Sequence, residues 1–397
     1  RGTLSDQHVR VKSQAIYGEL YYDINDTTKL TVGLRYDDLT NATTTFNGGL
    51  LASNWIAAGG PAYDNRMDVP GLTSYLVQND SATNGMVAIQ KYLQDDVMVY
   101  GSYTTASKGA GVNGGTDPVP YDQEDTAVLD FGLKAKLLDG AMLLNMNVFQ
   151  NDNSGMLLAT IRNTEAFNIN VDAEVKGFEG LMKVFLSDTT SIDLSWLFVD
   201  AEITSDTTTG NYLEPAGATG ILQYLGPVDP QGTGFLTGAV FNNGQIWYKS
   251  GGFNCLTPLG FNPAAGVLCP LSEANPVSLQ GNDLPGVADT SYSLAFTQLF
   301  PGDNGVTSAR LSYRYRGESN GDPFNMSRFD VPEQKQFDFL LRYTPNNGDW
   351  YVGMYAKNLA DDQSMNAIRS GSNAQGGQLY ASFTDPRTWG IQFGSSF

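Results

Sequence analysis

The sequence is poor in the residue types on which most enzymatic and metal chemistry depends. Its 397 residues include a single histidine, His8, and only two cysteines. Histidine is the commonest metal ligand and the usual acid–base catalyst near neutral pH, so one histidine in a polar N-terminal stretch leaves little basis for either role. We therefore predict that the protein is not an enzyme and has no catalytic residue, bound metal or cofactor.

Basic residues are scarce as well. The chain has 23 Lys and Arg against 42 Asp and Glu, which gives a net charge of −19. A protein that binds nucleic acid needs a basic surface to meet the phosphates, and this composition does not provide one. We expect no nucleic-acid partner.

The two cysteines, Cys255 and Cys269, lie near each other in a polar, glycine-rich stretch. A structural zinc site would need a second pair of ligands, which the sequence lacks. A local disulfide, formed in an oxidising compartment, is the prediction that fits them best.

Long apolar segments are also missing. No apolar run reaches about 18 residues, the length that a membrane-spanning helix requires. The chain opens RGTLSDQHVR, with neither an initiator Met nor the apolar region of a signal peptide. This start predicts that the sequence comes from inside a longer precursor.

Strict alternation of side-chain character is the pattern that the sequence does contain. In VTSARLSYRYRGES (306–319) apolar or aromatic residues take turns with polar or basic ones. One face carries Ala309, Leu311, Tyr313 and Tyr315, and the other carries Arg310, Ser312, Arg314 and Arg316. A period of two is typical of a β-strand with two different faces. No segment shows a convincing helical period, so the fold class is all-β.

The alternation predicts about thirteen strands. They are 12–24, 27–38, 84–93, 96–107, 124–137, 140–151, 168–186, 190–203, 288–300, 305–317, 334–345, 349–359 and 386–397. Short turns rich in Asp, Asn, Gly and Pro alternate with longer loops near 39–85, 107–123, 151–168, 204–287, 317–333 and 360–385. The longest of these lie near 39–85 and 204–287. This order of connections is typical of an antiparallel up-and-down transmembrane β-barrel that occupies the whole of 1–397.

The two faces of such strands allow two interpretations. In a soluble sheet the apolar face packs in a core and the arginines meet bulk water. In a membrane barrel the tyrosines meet lipid and the arginines line the lumen. Strands of about ten residues match the length needed to cross a bilayer at a tilt, so we favour the barrel.

Five stretches together resemble the TonB-dependent outer-membrane receptor family. They are VMVYGSYTTASKGAGVNGG (97–115), YDQEDTAVLDFGLKAKLLDGAMLLNMNVFQND (121–152), NVDAEVKGFEGLMKVFLSDTTSIDLSW (170–196), YVGMYAKNLADDQ (351–363) and DPRTWGIQFGSSF (385–397). The third carries the matching residues Asn170, Gly177, Phe178 and Glu179. The fourth has Ala360 where an aromatic residue is usual.

The resemblance implies a fold and a function. Receptors of this family form barrels of about 22 strands around an N-terminal plug, so thirteen strands would be the C-terminal part of the barrel, with the plug and its TonB box outside this sequence. The implied function is TonB-dependent active transport of a scarce ligand across the bacterial outer membrane. The ligand could be a ferric siderophore, another metal chelate, cobalamin or an oligosaccharide.

The implied location is the outer membrane, crossed many times. The implied partners are outer-membrane lipid and lipopolysaccharide, the TonB energy-coupling complex through the plug, and the barrel-assembly machinery. By the same resemblance, Gly390, Phe393 and Phe397 belong to a C-terminal assembly signal. Two other functions stay open on sequence grounds: a passive porin-like channel, and a surface adhesion or structural barrel.

Two groups of residues are candidates for contact with a ligand. Arg310, Arg314 and Arg316 could attract an anionic ligand, although pairing with acidic residues such as Asp130 and Asp338 is the favoured interpretation. Trp55, Trp247 and Tyr248 lie in the longest loops, where aromatic rings suit sugars or aromatic chelators. For these three, packing of the loops against one another is favoured.

Overall fold

A computed structural model describes residues 5–47, 73–113, 119–162, 165–210, 223–224, 240–242, 245–247, 276–370 and 379–395. Within them, thirteen antiparallel strands form one sheet, each paired with the next strand in chain order. The predicted all-β class and the number of strands are therefore confirmed. The only described helical turns are 3₁₀ turns at Leu138–Gly140 and Ser327–Phe329. Neither comes near the length and apolar character needed to cross a membrane.

The thirteen strands are numbered here in chain order. The first seven are β1 (Ser5–Asn25), β2 (Thr28–Asn47), β3 (Thr73–Gln94), β4 (Val97–Lys108), β5 (Glu124–Leu137), β6 (Met142–Arg162) and β7 (Glu165–Ser187). The other six are β8 (Thr190–Ile203), β9 (Thr290–Gly302), β10 (Gly305–Arg316), β11 (Gln334–Pro345), β12 (Trp350–Lys357) and β13 (Thr388–Ser395). Short turns join β1 to β2, β3 to β4, β5 to β6, β7 to β8, β9 to β10 and β11 to β12.

Two expected loops are shorter than the sequence indicated. β2 continues to Asn47 and β3 begins at Thr73, so both ends of the loop expected at 39–85 are strand. The region expected to form a loop near 151–168 is mostly the hairpin of β6 and β7. The extension of β2 lacks an apolar face, as in LTNATTTF (39–46), so an apolar alternation does not reveal it. Threonine nevertheless favours strands, and β2 pairs with β1 as far as Asn47.

The longer connection expected near 204–287 falls between β8 and β9. Its described parts include a short antiparallel pair, Thr208–Gly210 with Pro276–Ser278. Other described short strands are Gln223–Tyr224, Val240–Asn242 and Gln245–Trp247. Much of this connection lies outside the described residues.

The pairing register puts unlike side chains on opposite faces of the sheet. On one face Leu311 of β10 lies between Phe296 of β9 and Phe339 of β11. On the other face its neighbour Ser312 lies between Ala295 and Asp338. The pairing of β9 with β10 runs from Ser291 opposite Arg316 to Gly302 opposite Gly305 without a shift. We call these two surfaces the apolar face and the polar face.

The apolar face is continuous across all thirteen strands. Each strand contributes an exposed large apolar side chain to it: Leu20, Val32, Val87, Tyr103, Phe131, Val148, Phe178, Phe198, Phe296, Leu311, Phe339, Met354 and Ile391. Soluble monomers rarely expose an apolar patch larger than a few hundred Å². A sheet-wide apolar face suits contact with lipid, as on the outside of a membrane barrel.

Buried apolar side chains concentrate where the longer connections fold against the polar face. One cluster consists of Leu158, Val171, Ala173, Ala201, Ile203, Leu279 and Leu284. A second consists of Met326, Phe329, Val331 and Ile368. Phe324 packs against both clusters. The connections that follow β8, β10 and β12 are therefore held together as one packed unit, which we call the loop cap.

Candidate functional site: the polar face beneath the loop cap

Asp193 of β8 is the centre of an ion-pair triad on the polar face. Its Oδ1 lies 3.1 Å from Lys183 Nζ on β7, and its Oδ2 lies 2.6 Å from Arg310 Nη1 on β10. The same Nη1 donates to Thr297 Oγ1 on β9 at 2.9 Å. Arg310 therefore reaches across β9 to a carboxylate. Asp130, the acidic partner considered from sequence, instead accepts a hydrogen bond from Asn147 Nδ2 at 3.0 Å.

Arg314 forms an ion pair with Asp338, as the sequence predicted. Arg314 Nη2 lies 2.8 Å from Asp338 Oδ2. The other carboxylate oxygen accepts the backbone N–H of Asn358 at 2.9 Å and Gln336 Nε2 at 3.1 Å. The Arg314 side chain is 58% exposed, so donors that Asp338 does not use face open space.

Arg316, at the end of β10, meets only neutral acceptors. Its Nη2 donates to the backbone oxygen of Gly286 at 2.8 Å and to Ser319 Oγ at 3.2 Å. In the described part of the chain no carboxylate forms an ion pair with it. Gly286 precedes β9 and Ser319 follows β10, so the guanidinium ties two connections of the loop cap to the polar face.

A cavity of about 380 Å³ lies beside these arginines. Its lining includes Arg314, Arg316, Gln334, Gln336, Asn358 and the serines Ser195, Ser291 and Ser293. The hydroxyls of Ser195 and Ser293 are 2.7 Å apart. Asp362 also lines the cavity and accepts a hydrogen bond from Ser364 Oγ at 2.8 Å. The volume is within the range of small-molecule sites, and the lining is rich in hydrogen-bond donors.

Backbone and amide hydrogen bonds hold the loop cap over the cavity. Gly286 N donates to the oxygen of Asn320 at 2.7 Å, which joins the connection before β9 to the one after β10. Gln334 Nε2 donates to the oxygen of Met365 at 2.6 Å, which joins β11 to the segment after β12. These bonds and the two apolar clusters hold the connections of the loop cap to one another, and the connection after β12 supplies Asn358, Asp362, Ser364 and Thr384 to the lining of the cavity.

Asn358 fixes the chain where it leaves β12. It is buried and has a left-handed φ of 52°. Its Nδ2 donates to the backbone oxygens of Asp362 at 2.9 Å and Asp385 at 3.0 Å, and its Oδ1 accepts the N–H of Asp362 at 3.0 Å. Asparagine tolerates this φ better than other side chains do. The residue thus holds both ends of the segment between β12 and β13.

One acidic group at the base of the loop cap is perturbed. Burial, with the neighbouring carboxylates of Asp283 and Asp200, raises the pKa of Asp289 above its ordinary value. Because the folded pKa lies above the unfolded one, this contribution to stability is complete below the ordinary aspartate pKa and is lost as the pH rises through the raised value.

The described residues contain no group of three His, Cys, Asp or Glu able to hold a metal ion.

Several predicted site residues fall outside this region. Trp55, Tyr248, Cys255, Cys269 and Phe397 lie outside the described residues, so their roles stay predictions. Trp247 belongs to the short strand Gln245–Trp247, which pairs with Val240–Asn242. Arg314 and Arg316 therefore line one cavity, whereas Arg310 forms an ion pair with Asp193.

The residues expected to form an assembly signal lie on the two faces of β13. Phe393 is 70% exposed on the apolar face, opposite Val352. Gly390 is on the polar face opposite Tyr355, where an added Cβ would lie 2.7 Å from Tyr355 Oη. Glycine at this position leaves space for the tyrosine ring. The signalling role itself stays a prediction.

Sequence reasoning missed two residues that organise this site. Asp193 was visible as a polar position in SIDLSWLFVD (191–200), but its partners lie on β7 and β10 and depend on register. Asn358 was noticed only as part of YVGMYAKNLADDQ. The polar asparagine at the end of an alternating strand was the available signal, because asparagine favours left-handed turns.

Comparisons with known proteins agree with this architecture. The family model for the β-barrel of TonB-dependent receptor-like proteins matches residues 1–359. No curated protein gives a significant match to the sequence.

Solved structures show the same fold. The chain is similar to the ferric yersiniabactin uptake receptor FyuA from Yersinia pestis, with a TM-score of 0.66 at 16% identity over 98% of this chain and 46% of that one. It is also similar to the siderophore receptor PiuA from Acinetobacter baumannii, with a TM-score of 0.63 at 16% identity over 98% of this chain and 43% of that one. For the copper transporter OprC the TM-score is 0.60 at 14% identity, over 98% and 48% of the two chains. The chain thus spans less than half the length of each, and identities this low show the fold alone.

Proposed function

We propose, from the premise that the chain belongs to the TonB-dependent receptor-like β-barrel family, that it takes part in active transport of a scarce ligand across the outer membrane of a Gram-negative bacterium. The solved structures with a similar fold include a siderophore receptor and a copper transporter, and these suggest the kind of ligand to consider. Ferric siderophores, other metal chelates, cobalamin and oligosaccharides are the ligand classes considered.

The cavity beneath the loop cap is the main structural observation that supports this proposal. A ligand that enters from outside would reach the polar face, where Arg314, Arg316 and the serine hydroxyls offer donors. The apolar face would meet lipid, so the polar face would line the passage. The ligand would cross without any change in its covalent bonds, which makes the protein a transporter and not an enzyme.

Energy would come from outside the barrel. In our proposal the TonB complex acts through a plug domain, and the barrel meets outer-membrane lipid and lipopolysaccharide on its apolar face. The barrel-assembly machinery would insert it. A passive porin-like channel and a surface adhesion or structural barrel are the competing functions, since both could use the same apolar and polar faces.

Dependence of uptake on proton-motive force separates these functions. We expect cells that express the intact protein to accumulate at least one labelled compound from a panel of ferric siderophores, copper, cobalamin and maltodextrins. We expect a protonophore, or loss of the TonB protein, to reduce that accumulation to the level of cells without the protein. Accumulation that persists after either treatment would establish a passive channel. Surface binding without accumulation would establish an adhesin.

A further inference from the structure

The arginines of the polar face differ in how far their charges are neutralised. Arg310 is paired with Asp193, which also meets Lys183. Arg342 lies on the ring of Tyr351, with the guanidinium carbon 3.7 Å from the ring centroid. Arg314 has one carboxylate partner, Asp338. Among the described residues, Arg316 meets only the neutral oxygens of Gly286 and Ser319, and it lines the cavity.

Arg316 is partly exposed, and no carboxylate among the described residues pairs with it. Burial penalises an ion that no opposite charge accompanies, because the ion loses hydration and gains no compensating attraction. The guanidinium has five N–H donors in a fixed fork, and the hydrogen bonds of Arg316 to Gly286 and Ser319 both use Nη2. In the described part of the chain, Nε and Nη1 make no hydrogen bond, so they are available to an oxygen ligand in the cavity.

We propose that this cavity binds an oxyanion of the transported ligand, a carboxylate or phosphate group, with Arg316 as the principal contact and Arg314 as the second. The inference deepens the proposed function and rests on it for the identity of the bound molecule as cargo. Arg314 and Arg316 are two residues apart on β10, so they point to the same face. Planar forks of this kind match the geometry of carboxylate and phosphate oxygens.

The other residues that line the cavity determine which groups would surround a bound anion. The hydroxyls of Ser195 and Ser293 and the amide of Gln336 supply neutral hydrogen bonds beside the arginines. Asp362 also lines the cavity and brings one negative charge, so the cavity accommodates a single anionic group better than a cluster of them. The ligand class is therefore a polar molecule with one oxyanion presented to β10 and hydroxyl or carbonyl groups around it.

Direct binding to the intact protein, purified in detergent, tests the inference. Acetate and inorganic phosphate are the probes, glucose is the neutral control, and the sodium chloride concentration sets a constant ionic strength. We expect both anions, and not glucose, to bind in isothermal titration calorimetry. We expect Arg316→Gln to weaken binding by about 10- to 100-fold, the usual effect of losing a charge-assisted hydrogen bond.

Matched variants separate the site from general electrostatics. Arg342→Gln removes the same charge from the same face but outside the cavity, and we expect affinity within about twofold of wild type. Arg316→Lys keeps the charge and loses the fork, so an intermediate affinity is expected. Because Arg316 also holds the loop cap, Ser293→Ala provides a change that leaves the cap intact, and it should weaken binding by about 3- to 10-fold.

The outcomes distinguish this inference from the transport function. Equal binding by wild type and Arg316→Gln, equal losses in Arg316→Gln and Arg342→Gln, or no binding of either anion by wild type would each overturn the oxyanion site. Uptake of an uncharged ligand that still collapses with a protonophore would reject the oxyanion and leave active transport standing. Passive accumulation would reject transport even if anion binding follows the expected order.

Discussion

Leu311→Arg is expected to remove most of the assembled protein from the outer membrane, whereas Ser312→Arg is expected to leave its amount nearly unchanged. Leu311 lies near the middle of β10 on the apolar face, 45% exposed, between Phe296 and Phe339. An arginine on the lipid face near the bilayer midplane costs about 2–4 kcal/mol. Such a cost is a large part of the total stability of a typical domain.

Ser312 is the matched control because it is the next residue on the same strand. It lies on the polar face opposite Asp338, where a new arginine would have water and a carboxylate nearby. The measurement is the heat-modifiable band of each variant in outer-membrane fractions. Comparable loss in both variants would show that β10 tolerates no bulk on either face. Greater loss in Ser312→Arg would show that the two faces are assigned the wrong way round.

Asn358→Leu is expected to release the segment between β12 and β13 from the polar face. The change removes three side-chain hydrogen bonds, to Asp362 twice and to Asp385 once. At about 1 kcal/mol for each bond, with about 1 kcal/mol more for a leucine at a positive φ, the local cost is about 4 kcal/mol. The segment should then open often enough to lose protection from hydrogen exchange and from protease.

Asn358→Gly separates the two contributions. Glycine adopts the φ of 52° without strain but makes no side-chain hydrogen bond. We expect its loss of protection to be smaller than that of Asn358→Leu, and the difference should equal the strain of about 1 kcal/mol that leucine has at a positive φ. Wild-type protection in Asn358→Gly would show that the hydrogen bonds of the amide do not hold the segment. Exchange rates of residues 358–370 and 379–387, compared with those of β9, provide the measurement.

The architecture was predictable because it depends on local patterns. Alternation in segments such as VTSARLSYRYRGES gave the strand, its two faces and the position of Arg314 and Arg316 on one of them. The family motifs gave the barrel. The ends of β2 and β3 were not predicted because residues 39–47 and 78–83 lack an apolar face, and pairing with β1 and with each other extends these strands.

The partners within the site were less predictable because they depend on register across several strands. Arg310 lies opposite Thr297 and Leu340, yet its carboxylate is on β8, beyond β9. The neutral environment of Arg316 follows from where Gly286 and Ser319 lie in the loop cap. No local pattern in the sequence specifies the path of a connection. The difference between a neutralised and an unneutralised arginine therefore appears only in three dimensions.

The unbroken register of β9 and β10 has a consequence for how this protein can evolve. Because successive side chains face opposite ways, deleting one residue inside β10 would put Arg314 and Arg316 into lipid and would put Tyr313 on the polar face. A change of two residues would keep both faces, and a change in a connection would disturb neither. Heritable variation in length is thus confined to the connections or to even steps in the strands, and new ligand preferences would arise by substitution on the polar face.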